Sequence, residues 1–143
     1  MLAQSYARTY RNNAVLTASP GQLVLMLYDG ALRALGLARE AFARSEDDVA
    51  RLQVINNQLL KAQAIISELQ SGLDFEKGGE VATTLDRLYE YYNRRLFEAN
   101  LRKQAAPVAE VERLLGELRA GWAEMLTKQG GDSQPPESLR SVA

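Results

Sequence analysis

Apolar residues recur every third or fourth position through most of the chain, and strict alternation is almost absent. That period predicts helix rather than strand. Four stretches carry it: about 20–43, 49–72, 80–101 and 107–126. The first has two apolar stripes side by side. Leu25, Tyr28, Leu32, Leu35 and Phe42 form a large one, and Val24, Leu27, Ala31, Ala34, Ala38 and Ala41 a small one. Only a narrow strip is polar: Asp29, Arg33, Glu40 and Arg44. A helix apolar around most of its girth must be covered on more than one side. The second stretch has a seam of Leu52, Ile55, Leu59, Ala62, Ile66, Leu69 and Leu73, with Val54, Leu60 and Ile65 outside it. The third has a seam of Ala82, Leu85, Tyr89, Tyr92, Leu96 and Ala99, with Val81, Leu88, Tyr91 and Phe97 off it. The fourth turns Val108, Val111, Leu114 or Leu115, Leu118, Trp122 and Met125 inward.

Punctuation between the stretches fits this division. Ser19-Pro20-x-Gln22 has the residues of a capping box, with proline in the first turn. Ser45-Glu46-Asp47-Asp48 breaks the first helix and puts acids where the next helix dipole favours them. Asp74 to Gly79 reads as a turn closed by paired glycines. Pro107 opens the fourth helix, with no good capping residue just before it. Along the wet faces, Asp29 with Arg33, Glu40 with Arg44, and Glu90 with Arg94 stand at i,i+4 spacing. The expected fold is all-α, an antiparallel up-down four-helix bundle over residues 19–127. Residues 1–18 read as an N-terminal arm, and residues 128–143, rich in Gly, Pro and Gln, as a disordered tail.

Composition narrows the chemistry more than the fold. Histidine and cysteine are both missing, which removes imidazole bases, thiol nucleophiles and the commonest zinc ligands together. A di-iron bundle needs Glu-x-x-His, so that class falls too. Gly78-Gly79 lacks the strand and the Lys-Ser/Thr of a phosphate loop. The expectation is a protein that is not an enzyme, with no cofactor and no metal. Seventeen basic and 18 acidic residues leave a net charge of −1, which attracts neither nucleic acid nor an anionic membrane surface. Tyr89, Tyr91 and Tyr92 are read as packing residues rather than a base-stacking platform, and Trp122 as a core anchor. The N-terminus has no basic start and apolar core, so it does not read as a signal peptide, and a cytosolic location is expected. Tyr6 and Tyr10, on an arm with no core of its own, are candidate recognition anchors.

Several segments together resemble the FliS family. Thr17-Ala18-Ser19-Pro20 and Met26-Leu27-Tyr28-Asp29-Gly30 are similar to its start. Lys61-Ala62-Gln63-Ala64-Ile65-Ile66-Ser67-Glu68-Leu69, then Leu73-Asp74, is similar to its second helix. Glu76-Lys77-Gly78-Gly79-Glu80, Leu88-Tyr89-Glu90-Tyr91, Arg95-Leu96 and Glu98-Ala99-Asn100 follow in the family's order. The likeness spans about residues 5–126. It implies a helical bundle that binds the C-terminal segment of flagellin in the cytosol. It further implies that binding prevents premature polymerisation and that the complex is delivered to the gate protein of the flagellar type III export apparatus. The membrane would be involved only through that apparatus. The arm carrying Tyr6 resembles the part implicated in gate docking and in covering the client cleft. A client of this kind needs apolar surface that the bundle itself leaves over. The candidate contacts are therefore Tyr6, Tyr10 and Val15 on the arm, and Leu27 and Tyr28 on the first helix. Val54, Leu60 and Ile65 join them from the second helix, and Val81, Leu88, Tyr91 and Phe97 from the third. The competing reading is a homodimer closed by the same surplus surface.

Overall fold

The computed structural model describes residues 18–128. Four helices fill it: α1 (Pro20–Ala43), α2 (Val49–Ser71), α3 (Phe75–Arg102) and α4 (Ala106–Lys128). Each packs against its neighbours in chain order, and α4 closes back on α1. Cross-links fix the antiparallel register. Asn56 meets Asn100, Gln63 meets the Asn93 carbonyl, and Gln70 meets Asp86, so α3 descends as α2 ascends. Asp29 meets Arg119 and Arg39 meets Glu112 between α1 and α4. One end of the bundle therefore gathers the starts of α1 and α3 with the ends of α2 and α4.

Local chemistry explains the boundaries. The Gln22 N–H donates to Ser19 Oγ, and the Ser19 N–H to Gln22 Oε1, both at 3.2 Å, completing the capping box. Asp48 caps α2 by accepting from the Arg51 N–H at 2.8 Å. The Arg51 side chain then turns back to the carbonyls of Ala41 and Phe42 in the last turn of α1, the former also accepting from the Arg44 N–H at 3.3 Å.

The third helix starts earlier than its periodicity indicates. Asp74 accepts from the Lys77 N–H and closes one helical turn, Phe75 to Gly78, before the expected corner. The break itself falls on Gly79, at φ 54° and ψ −129°, a conformation that only glycine adopts without strain. At the other end Lys103 takes the left-handed cap position, φ 51°, where its Cβ is crowded. Helix α4 begins one residue before Pro107, with Ala109 N–H bonded to the Ala105 carbonyl.

Of the two stripes on α1, the small one supplies most of the core: Ala31, Ala34, Ala38 and Ala41 are sealed, with Tyr28 and Leu35 from the large one. Leu25, Leu32 and Phe42 are only half-buried. The seams of α2 and α3 hold at Ile55, Leu59, Ala62, Ile66, Leu69, Ala82, Tyr89, Tyr92, Leu96 and Ala99. Leu52 departs from its seam and is exposed, since it sits in the first turn of α2 near the bundle's edge. On α4 the choice falls to Leu115 as the buried residue, with Leu114 half-buried.

The expected ion pairs also change. Asp29 takes Arg119 across helices instead of Arg33, accepting from Nε and Nη2 at 2.8 and 3.4 Å. A two-pronged guanidinium across a helix pair outcompetes a same-helix neighbour. Arg94 lies over the Tyr91 ring at 5.9 Å rather than pairing with Glu90.

Candidate functional site

The end that gathers the starts of α1 and α3 does not close. An apolar cleft of ≈ 300 Å³ opens there. Pro20, Leu23, Val24, Leu27 and Tyr28 of α1 form one wall. Leu69, Gly72 and Leu73 come from the end of α2, Leu85 and Tyr89 from α3, and Trp122 from α4. Glu68 is the single charged residue in the lining, with Ser71 beside it. A concave apolar site with a few convergent polar groups is the usual form of a binding site.

Its floor is rigid. The Tyr28 and Tyr89 hydroxyls are hydrogen-bonded at 2.5 Å, tying α1 to the diagonally opposite α3. Burial pushes both hydroxyls above the ordinary tyrosine value, and their mutual contact adds to the shift on Tyr89. Tyr92, edge-on to Tyr89 at 6.5 Å between ring centres, is pushed up to about 12, again by burial first. One side of the cleft is pinned by Trp122, whose Nε1–H donates to the Gly21 carbonyl at 2.8 Å. That bond holds the first turn of α1 against α4.

A second apolar surface lies outside, between α2 and α3. Asn100 Nδ2 donates to Asn56 Oδ1 at 2.9 Å. Leu60 stands one turn from Asn56, and Phe97 one turn from Asn100, so both flank that bond and are 52% and 59% exposed. Leu52 and Leu101 extend the patch towards the far end and are exposed too.

The twelve sequence-derived contacts thus separate. Tyr6, Tyr10 and Val15 lie outside the described residues. Leu27 and Tyr28 come together in the cleft, but Tyr28 is only 2% exposed. Tyr28 is therefore a core residue under the cleft rather than a surface contact, because its hydroxyl finds Tyr89 inside the bundle. Leu60 and Phe97 are both exposed on the outer face beside the Asn56–Asn100 bond, and Val81 is exposed near the start of α3. Val54, Ile65, Leu88 and Tyr91 are half-buried and pack against the core. Tyr91 also donates to Glu110 at 3.0 Å, and Arg95 donates to the same carboxylate at 2.9 Å, holding its pKa below the usual carboxylate range.

Helical phase missed Pro20, Leu23, Leu69, Leu73, Leu85 and Trp122 as cleft residues. Leu69, Leu73, Leu85 and Trp122 follow their seams in phase, and Pro20 and Leu23 stand in the first turn of α1; what sets the group apart is lying towards one end of the bundle. The signal available was position along the helix, not position around it. Among the described residues, no helix is long and apolar enough to cross a membrane, and no group of three potential metal-ligating side chains occurs.

Comparison with known proteins follows the same chain length. The sequence model of the flagellar protein FliS matches residues 2–129. The flagellar secretion chaperone FliS of Salmonella typhimurium is 42% identical over 125 residues, covering 87% of this chain and 90% of the relative. That of Bacillus subtilis is 36% identical over 132 residues, covering 92% and 94%. That of Escherichia coli is 39% identical over 124 residues, covering 86% and 88%.

Proposed function

The chain belongs to the FliS family of flagellar proteins, and from that premise we propose that it is a cytosolic export chaperone for flagellin. It holds flagellin's C-terminal, helix-forming segment and keeps it from polymerising before export. The family is one of chaperones, not enzymes, so the work is binding alone. The observation that supports this reading is the cleft: an apolar opening at the end of a bundle whose core is otherwise tightly filled. A disordered amphipathic segment gains free energy by laying apolar side chains there and loses part of it to ordering. Leu23, Leu27, Leu73 and Trp122 receive those side chains over the Tyr28–Tyr89 floor. Leu60 and Phe97 offer a second strip to a client long enough to wrap around the bundle.

The N-terminal arm of residues 1–18, with Tyr6, Tyr10 and Val15, serves as a cover that the client displaces. The loaded complex is then handed to the export gate protein, so the membrane enters only through the export apparatus. Circular dichroism and calorimetry test the central step. A flagellin C-terminal peptide mixed with this chain gains helix and binds one to one. A peptide that neither binds nor gains helix contradicts the proposal.

A further inference from the structure

The lining of the cleft is neutral except at one position. Glu68 sits on its rim, and its carboxylate has no ion-pair or hydrogen-bond partner among the described residues. Its place is also a poor one for the helix that carries it. Glu68 is in the last turn of α2, where the carbonyl ends of the helix dipole are negative and no basic side chain offsets them. The Glu68 carbonyl accepts from the Gly72 N–H at 3.2 Å and from Ser71 Oγ at 3.0 Å, so the nearest polar groups of its own turn are already bonded to the backbone. At the start of α1, which lines the same cleft, the Gln22 N–H is taken by Ser19 Oγ and the Leu23 N–H by the Ser19 carbonyl. Glu68 is exposed, so water rather than a protein cation meets its charge, and an occupant seated on the rim can take that place.

We infer that Glu68 is the specificity-determining residue of the cleft: it selects an occupant that carries a lysine or arginine beside the apolar side chain it inserts. The inference rests on the reading of the cleft as the client site. Charge complementarity sets the occupant's chemistry. Apolar side chains enter the opening, and the one cation sits at the α2 end, meeting both Glu68 and the dipole. Seating the occupant removes water from around Glu68, so the pair is screened less than it would be on an open surface.

The test is a double-mutant cycle on the full chain. The probe is a flagellin C-terminal segment with its basic residues changed to Gln one at a time, and the partner variant is Glu68→Gln. The expected result is that one of these changes weakens binding to the wild-type chain roughly two- to fivefold, and does nothing further against Glu68→Gln. Raising salt should shrink the same difference. Binding without coupling to any basic residue of the probe overturns the role of Glu68 and leaves the cleft reading intact. A wild-type chain that does not bind the unaltered segment overturns the cleft reading itself. Arg8→Gln and Arg11→Gln in this chain complete the cycle. Coupling of Glu68 to either of them, and to none in the probe, assigns the carboxylate to the chain's own N-terminal segment and overturns selection of the client.

Discussion

Helix α1 behaves as two different elements along one axis. Beyond Gly30 its inward face is Ala31, Ala34, Ala38 and Ala41 with Leu35, all sealed, and α2 is the helix α1 packs against most extensively. Before Gly30 the inward face is Leu23, Val24, Leu27 and Tyr28, and there the helices enclose an open cleft. Small side chains let two backbones meet and leave nothing over. Large ones at a helix end prop the neighbours apart and keep apolar surface available. The same hydrophobic character thus closes the core at one end and leaves a binding site at the other, with side-chain size making the difference.

The largest effect should separate the two halves by truncation. Leu35→Ala, in the closed half, is expected to cost about 2–5 kcal/mol in urea denaturation, because the sealed packing cannot collapse around the hole. Leu23→Ala, on the cleft wall, should cost less than about 1 kcal/mol, since its side chain already borders open space. Equal costs would mean that the cleft is ordinary core. The reverse substitution sharpens the contrast: Ala38→Leu should destabilise by about 1–3 kcal/mol through overpacking against α2.

The tyrosine pair lies at the boundary of the halves. Tyr28→Phe leaves the buried Tyr89 hydroxyl without its partner and should cost about 1–3 kcal/mol. Adding Tyr89→Phe should recover part of that loss, because an apolar pair needs no hydrogen bond. Both hydroxyls have pKa values raised by burial, so the folded state favours their neutral form. Their contribution is whole below about pH 10, the ordinary tyrosine value, and drains away as pH rises beyond it. An alkaline stability profile should show a larger loss in the wild type than in the double Phe variant, where Tyr92, pushed up to about 12 by burial, still titrates. The smallest effect belongs to the closed end. Lys103→Gly should stabilise by about 0.5–1 kcal/mol by relieving the positive-φ cap, seen as a modest rise in melting temperature.

Helix α1 was legible from sequence in both bounds, because Ser19, Pro20 and Gln22 write its start in side-chain chemistry. The seams of α2 and α3 were legible because burial there repeats with the helical period. The start of α3 was not: Asp74 builds a capped turn ahead of Gly79, and two glycines in sequence do not say which one bends. The cleft was legible only in part. Phase tells which way a side chain points around a helix, and Leu27 follows from it. It does not tell that Leu73, Leu85 and Trp122 stand together at one end, since that depends on how four helices are aligned along their length. Asp29 choosing Arg119 over Arg33 has the same origin, a partner from a helix some ninety residues away in sequence.

Trp122 makes the central claim directly measurable. It is the only tryptophan in the chain and it lines the cleft. Titrating the full chain with a flagellin C-terminal segment while following tryptophan emission reports on that site alone, provided the segment itself contains no tryptophan. The expected result is a blue shift that saturates at one equivalent, in step with the binding heat. Full calorimetric binding with an unchanged Trp122 spectrum would place the client elsewhere and contradict the cleft as its seat.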